Sequence, residues 1–343
     1  MPTELAPSVA EDSTLPLFAV PAEIRQWGAR VRLAQRNAVR ATLMLVETVV
    51  LYAAFVVLGQ TIDRWWGWVV AWVGSVMCMM RIDAAHHEAV HRSLYVRRWP
   101  NDLIASVTGA FEGFHGPTYR CFHLAHHALT RRDNDLSDPE AFYDEVLTRP
   151  FSIGPLHLRA RAVYVVGMLI GGVSFAVQLV IGALATMLGR PPAYVGAGSL
   201  ERHVRRWGWV PFALWGSAVA AAVSTGHTSE LLHWWLVPML VFLCGPYTFF
   251  ALPEHYAAPH NNPMVTATGS VHTTPVYRWL TLDGNFHLAH HVFPNASWWR
   301  LVDADAQLRN VTTLRHRGYL RFHREVWRDL ALSNASGSEA PAT

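Results

Sequence analysis

Histidine is the residue type that stands out, at 19 of 343, and its spacing is more telling than its number. His86-His87-Glu88-Ala89-Val90-His91 is followed by His123-Leu124-Ala125-His126-His127 and, far downstream, by His287-Leu288-Ala289-His290-His291. The last two share the pattern HxxHH, which on a helix sets positions i, i+3 and i+4 on one stripe. His87 and His91 stand one turn apart in the same way, and His86 offers an alternative HxxxxH reading. His255, after Leu252-Pro253-Glu254, adds one more candidate. The predicted ligand set is therefore His87, His91, His123, His126, His127, His255, His287, His290 and His291. One metal accepts four to six ligands, so nine imidazoles imply two ions. Imidazole serves iron, zinc, copper and nickel alike. Breaking an unactivated C–H bond demands a redox metal and dioxygen, which zinc chemistry does not offer. Iron is the metal of choice.

Such clusters must be carried by elements, and the composition says which. Hydrophobic residues make up 51% of the chain and charged residues 15%, against about 25% charged in a soluble domain. Apolar runs lie at 41–59, 65–80, 162–189, 209–223 and 231–252, near the roughly 20 residues a membrane-crossing helix needs. Paired tryptophans beside these runs read as an interfacial belt. All 28 basic residues are arginine, and 27 share one side if 162–189 does not cross. By the positive-inside rule that side is cytoplasmic. A crossing by 162–189 would part the early and late boxes across the bilayer. The expected fold is thus all-α and integral to the membrane. It has four transmembrane helices, a re-entrant or interfacial segment at 162–189 bent near Gly171-Gly172, and a cytoplasmic His-rich cap. Residues 1–24 and 331–343 read as disordered tails around one domain at 25–330. Cys78, Cys121 and Cys244 form no CxxC pair, so electrons come from outside the chain. A net charge of +3 gives no reason to expect a nucleic-acid partner.

The order HxxxH, HxxHH, a Glu-His after the last apolar run, then HxxHH followed by Val292-Phe293-Pro294 resembles the membrane fatty acid desaturase superfamily. That superfamily includes acyl desaturases, carotenoid hydroxylases and ketolases, and alkane hydroxylases. Thr130, Asp138 and Pro139 extend the likeness, which runs from about Ala41 to Leu308. The resemblance implies a non-haem di-iron centre on the cytoplasmic side, a four-helix membrane bundle, a hydrophobic substrate tunnel and dioxygen as co-substrate. The nine histidines match family ligand positions one by one. The third box opens with His287 rather than the glutamine of front-end desaturases, and no fused cytochrome b5 motif is present. Electrons then come from a separate ferredoxin or cytochrome b5-like donor with its reductase, and the substrate is a lipid or a carrier-bound acyl chain. Hydrogen removal followed by a second removal gives a double bond; oxygen rebound gives an alcohol.

Two other classes compete. His87-Glu88-Ala89-Val90-His91 also spells HExxH, the zinc-protease motif with Glu88 as general base, and Asp283 would stand in as its third ligand. That reading leaves both HxxHH boxes unused. A metal transporter needs polar residues inside the spans to line a path, and only Glu47 and Gln178 are there. Among carboxylates near the boxes, Asp83, Asp133, Asp138, Glu254 and Asp283, with Asn285, are candidates to accept the second ring N–H of liganding histidines and so fix their tautomers. His115, His260 and His272 are weaker candidates of the same kind. His157, His203, His227, His233, His316 and His323 have no box spacing and read as surface or interfacial residues. Arginines such as Arg131 and Arg132 could also dock an acidic electron carrier.

Overall fold

The computed structural model describes residues 22–62, 64–132, 151–153, 156–258, 267–310 and 314–336. Asp133, Asp138, Pro139 and His260 lie outside them. The described residues are mainly helical, with two small strand pairs.

After a short α1 (Ala22–Arg30) come α2 (Ala38–Thr61) and α3 (Trp65–Val90), an antiparallel pair of 24 and 26 residues. At 1.5 Å per residue each exceeds the roughly 30 Å of bilayer hydrocarbon. Asn37 caps α2 by accepting from Arg40 N, which satisfies one of the amide groups a helix start leaves without partners. The apolar outward faces, Val39, Leu43, Val46 and Val50 on α2 and Val69, Val70 and Val73 on α3, are exposed, as lipid-facing residues must be. Arg81 joins the pair by polar contacts: it reaches Glu47 at 2.6 Å and Thr48 Oγ1 at 3.1 Å, and it stacks over Trp279. Glu47 is thus an ion-pair partner, not a step in a conduit.

Of the next two elements only the helix carrying the second box is expected from the spacing; the helix before it is not. α4 (Arg98–Glu112) returns along α3, turns at Gly113 and gives way to α5 (Gly116–Leu129). Gly113 adopts φ +90°, a left-handed helix end that glycine takes without strain. A Cβ on Gly116 would run into the Ala105 carbonyl, so α4 and α5 cross at backbone contact. His115 locks the corner: its Nδ1 meets the Thr118 hydroxyl at 2.8 Å and its Nε2 donates to Gly208 O at 2.9 Å. This hairpin aims the second box.

α6 (Ala160–Met187) corrects one expectation. It is a single unbroken helix of 28 residues, not a hairpin or a pair bent at Gly171-Gly172. Those glycines serve close packing: a Cβ on Gly172 would sit 2.5 Å from Leu243 O, and one on Gly171 2.5 Å from Thr248 Oγ1. Small residues let helix backbones approach without breaking either helix. α7 (Ser199–Trp207) and α8 (Trp209–Thr225) follow, and together 199–225 is the fourth stretch long and apolar enough to cross a membrane. The last apolar run is not straight. α9 (Thr228–Leu243) and the segment Pro246–Glu254, whose helix α10 is Pro246–Ala251, meet at a 40° bend around Gly245-Pro246, where proline cannot continue the ladder.

The remaining described chain forms a cap. α11 (Pro275–Leu280) packs on α3, while α12 (His287–Val292) and α13 (Leu301–Leu308) pack with α1, burying Leu33, Phe286, Leu288, Leu301 and Leu308. A two-residue parallel pair, Ser270↔Arg315 and Val271↔His316, ties it down. α14 (Tyr319–Ser336) lies against α6 and α10, with His323 Nε2 donating to Phe249 O at 2.8 Å. Helix therefore continues past the tail boundary expected at 330.

Candidate metal centre

The structure brings the nine predicted histidines into one patch. α3 supplies His87 and His91, α5 supplies His123, His126 and His127, α12 supplies His287, His290 and His291, and His255 follows α10. They divide into two groups whose ring nitrogens lie within 4.8 Å of one another: His87, His91, His123, His127 and His290; and His126, His255, His287 and His291. All are buried except His87, which is partly so. The two groups touch where His127 and His291 stack at 4.1 Å.

The second group closes on itself. Nε2 of His126 lies 3.1 Å from that of His255, which is 3.2 Å from that of His287, then 3.0 Å to His291 and 3.3 Å back to His126. An ion held at about 2.1 Å by imidazoles separates neighbouring nitrogens by roughly 3.0–3.4 Å, so this square fits one. In the first group Nε2 of His127 lies 3.0 Å from that of His123 and 2.9 Å from that of His290. The Nε2 atoms of His87 and His91 are buried with no hydrogen-bond partner among the described residues. Buried ring nitrogens without a protein partner are costly unless a ligand satisfies them.

Electrostatics agree with the geometry. Burial first, then neighbouring imidazoles, holds His123, His127, His287, His290 and His291 well below the usual imidazole range. They are neutral at pH 7, with lone pairs free for a cation. Ring orientation is set from outside the patch: His255 Nδ1 donates to Ala267 O at 2.9 Å, and Thr130 Oγ1 sits 3.4 Å from His291 Nδ1 while donating to His126 O at 2.6 Å.

The expected helpers divide. Glu254 Oε2 lies 3.4 Å from His287 Nε2, on the inward nitrogen rather than the outer one. Asn285 donates through Nδ2 to Val271 O at 2.8 Å, while its Oδ1 is buried without a partner among the described residues. Asp283 is drawn away from the patch by Arg278 at 2.6 Å, so it neither orients a histidine nor completes a zinc site. Glu88 is buried and bonded to Ser93 Oγ at 2.5 Å, and it lies in neither imidazole group. Arg131 is buried and donates to His255 O, so it is unavailable to dock a carrier. Of the weaker candidates, His115 holds the α4–α5 corner and His272 meets Arg315 at 2.6 Å; neither contacts the nine. His86 belongs to neither group; its ring lies 4.7 Å from Tyr119 and 6.4 Å from Phe114.

A cavity of about 110 Å³ opens on His87, His123 and His287. Met80, Phe242 and Phe250 supply apolar walls, and Asp83, Glu254 and Asn285 polar ones. Sequence reasoning missed Glu112, fully buried at the end of α4; a lone carboxylate in the apolar stretch Gly109-Ala110-Phe111-Glu112 was the available signal.

Apolar helices long enough to cross a membrane thus carry a patch of buried imidazoles that could hold metal ions. The chain belongs to the fatty acid desaturase family, whose model matches residues 63–324. Membership makes it an oxidoreductase. The comparison with curated proteins finds no match.

Proposed function

We propose that the chain is a membrane-bound di-iron oxidoreductase that desaturates a fatty acyl chain with dioxygen and electrons from a separate donor. The observation that carries this reading is the division of nine buried imidazoles into two adjoining groups, one of them a closed square of Nε2 atoms. Two irons held there would supply the oxidising power that a C–H bond requires. Over one turnover the substrate loses two hydrogens, and dioxygen with two external electrons and two protons becomes two waters.

The chain's own residues have defined tasks. His87, His91, His123, His127 and His290 would hold one ion, and His126, His255, His287 and His291 the other. Ala267 O and Thr130 fix the rings of His255 and His291 so that Nε2 faces inward. Met80, Phe242 and Phe250 present apolar surface to the substrate and exclude bulk water from the cavity.

The patch also bears on topology. Box two and His255 share one side, so an even number of the three apolar stretches between them crosses. We place α6 along the cytoplasmic face. Near its start Tyr164 bonds His323 on α14, and near its end Gly182 lies against Thr118, five residues before the second box. Arg159, Arg161 and Arg190 flank it at both ends, as the positive-inside rule requires of a segment on that face.

Hydroxylation or ketolation of a lipid or isoprenoid is the second reading. Asp83, Glu254 and Asn285 reach the same cavity as the imidazoles and would suit a substrate with a polar group near the reacting carbon. The test is lipid profiling of a host expressing the wild type beside His126→Ala, with iron counted in both. New double bonds that depend on His126, and about two irons per chain, are expected. A new hydroxyl or keto product would replace the first reading with the second. Neither product, or iron well below two, would refute both.

A further inference from the structure

A third set of donor groups stands apart from the nine histidines. Asp83 and His86 lie three residues apart on one face of α3, and Glu112 ends the facing α4. Their ligand atoms lie within 4.8 Å of one another. His86 Nδ1 touches Glu112 Oε1. His86 and Glu112 are fully buried, while Asp83 opens on the cavity beside His87 and His123.

Two carboxylates in such a place keep their charges only with a cation beside them. Among the described residues no arginine pairs with Asp83 or Glu112; the nearby Arg81 is taken up by Glu47 and Trp279. Neither oxygen of Glu112 and neither ring nitrogen of His86 finds a hydrogen-bond partner outside the trio among the described residues. Glu112 also occupies the last position of α4, where the helix's own negative end disfavours a carboxylate. Buried charges of one sign persist when paired or coordinated. Room is made for the ring: a Cβ on Gly109 of α4 would lie 3.1 Å from His86 Cε1.

We propose that Asp83, His86 and Glu112 form a third metal site, for a divalent first-row cation. Two oxygens and one imidazole nitrogen form a borderline-hard donor set, suited to manganese, iron or zinc rather than to copper(I) or calcium. Asp83 connects the site to the cavity, from which water completes the coordination. The ion neutralises the two carboxylates and fixes α3 against α4 beside the cavity that His87 lines. Asp83, His86 and His87 lie within five residues of α3, so adjoining turns of one helix serve both centres.

The experiment uses the full-length protein in detergent with its histidine-held metals in place, equilibrated with Mn²⁺ or Zn²⁺, desalted and analysed for metals. The wild type should retain one more ion per chain than the double variant Asp83→Asn/Glu112→Gln. Equal counts would overturn the proposal. Should the double variant fail to fold, the wild type alone decides. Pulsed electron paramagnetic resonance of its bound Mn²⁺ should show coupling to a single imidazole nitrogen. Coupling to several imidazoles would assign the ion to the nine-histidine patch and overturn the proposal, as would no retained manganese and no zinc above two ions per chain. The readout is a difference of one ion, so it stands or falls separately from the iron count that tests the proposed function.

Discussion

Thr130→Val removes one oxygen and almost no volume, and it tests how the square of imidazoles is held. The Thr130 hydroxyl donates to His126 O at 2.6 Å, which leaves its lone pairs to accept from His291 Nδ1 at 3.4 Å. With a metal on Nε2, the ring proton of His291 must sit on Nδ1. Valine leaves that N–H buried and without an acceptor, at a cost of about 1–3 kcal/mol. In the metal-free protein the proton can move to Nε2, so the penalty falls mainly on the loaded state. Because 3.4 Å is a long bond, the low end applies: about 1.4 kcal/mol, or tenfold in metal affinity. Competition with a graded chelator, followed by iron loss, should show half-release at roughly tenfold lower chelator in Thr130→Val. Thr130→Ser should restore the wild-type value. Indistinguishable release curves for wild type and valine variant would refute the role assigned to this hydroxyl.

Other expectations concern the ligands, the packing and the response to acid. His290→Ala should abolish turnover and lower bound iron, whereas His316→Ala, which lies against Phe322 outside the patch, should keep both; equal loss in the two variants would count against the assignment. Gly172→Ala drives a methyl toward the Leu243 carbonyl at 2.5 Å and should destabilise by about 1–3 kcal/mol. Gly216→Ala, with nothing within 4 Å, should be neutral or mildly stabilising in the same thermal assay, and a reversed order would refute the close approach of α6. Burial pushes His115 down to about 4 from the ordinary 6.5. The unfolded chain therefore binds a proton that the folded chain resists, and stability falls as pH drops from about 6.5 to about 4, by on the order of 3 kcal/mol. Measured by thermal midpoint, the gap between wild type and His115→Gln should be widest near neutral pH and close toward about pH 4.5; a gap of constant size would dismiss the effect.

The site was far more legible than its scaffold, for a physical reason. HxxHH encodes a helical stripe within five residues, so local spacing alone states which nitrogens can converge, and the structure brings together the same nine. Long-range packing leaves no such local mark. Gly171-Gly172 reads equally well as a bend or as a contact, and only the position of Leu243 decides between them. α4 was hidden because Arg98–Glu112 is too short and too mixed in polarity to announce a buried element. Asp283 and Glu254 both sit near boxes in sequence. Arg278 captures the first, while the end of α10 carries the second to His287; proximity along the chain could not separate them. His86 and His87 posed the same difficulty, since the choice between them depends on the rotation of α3 about its axis.

The way the two imidazole groups are assembled has a consequence for chain growth. One draws on α3, α5 and α12, the other on α5, the end of α10 and α12, so α12 is shared. Neither can form while the polypeptide is still being made up to His287, however well the earlier helices have inserted. Both pockets come into being together, late, when the final fifth of the chain docks. Any lesion that keeps α12 from seating would empty both at one stroke.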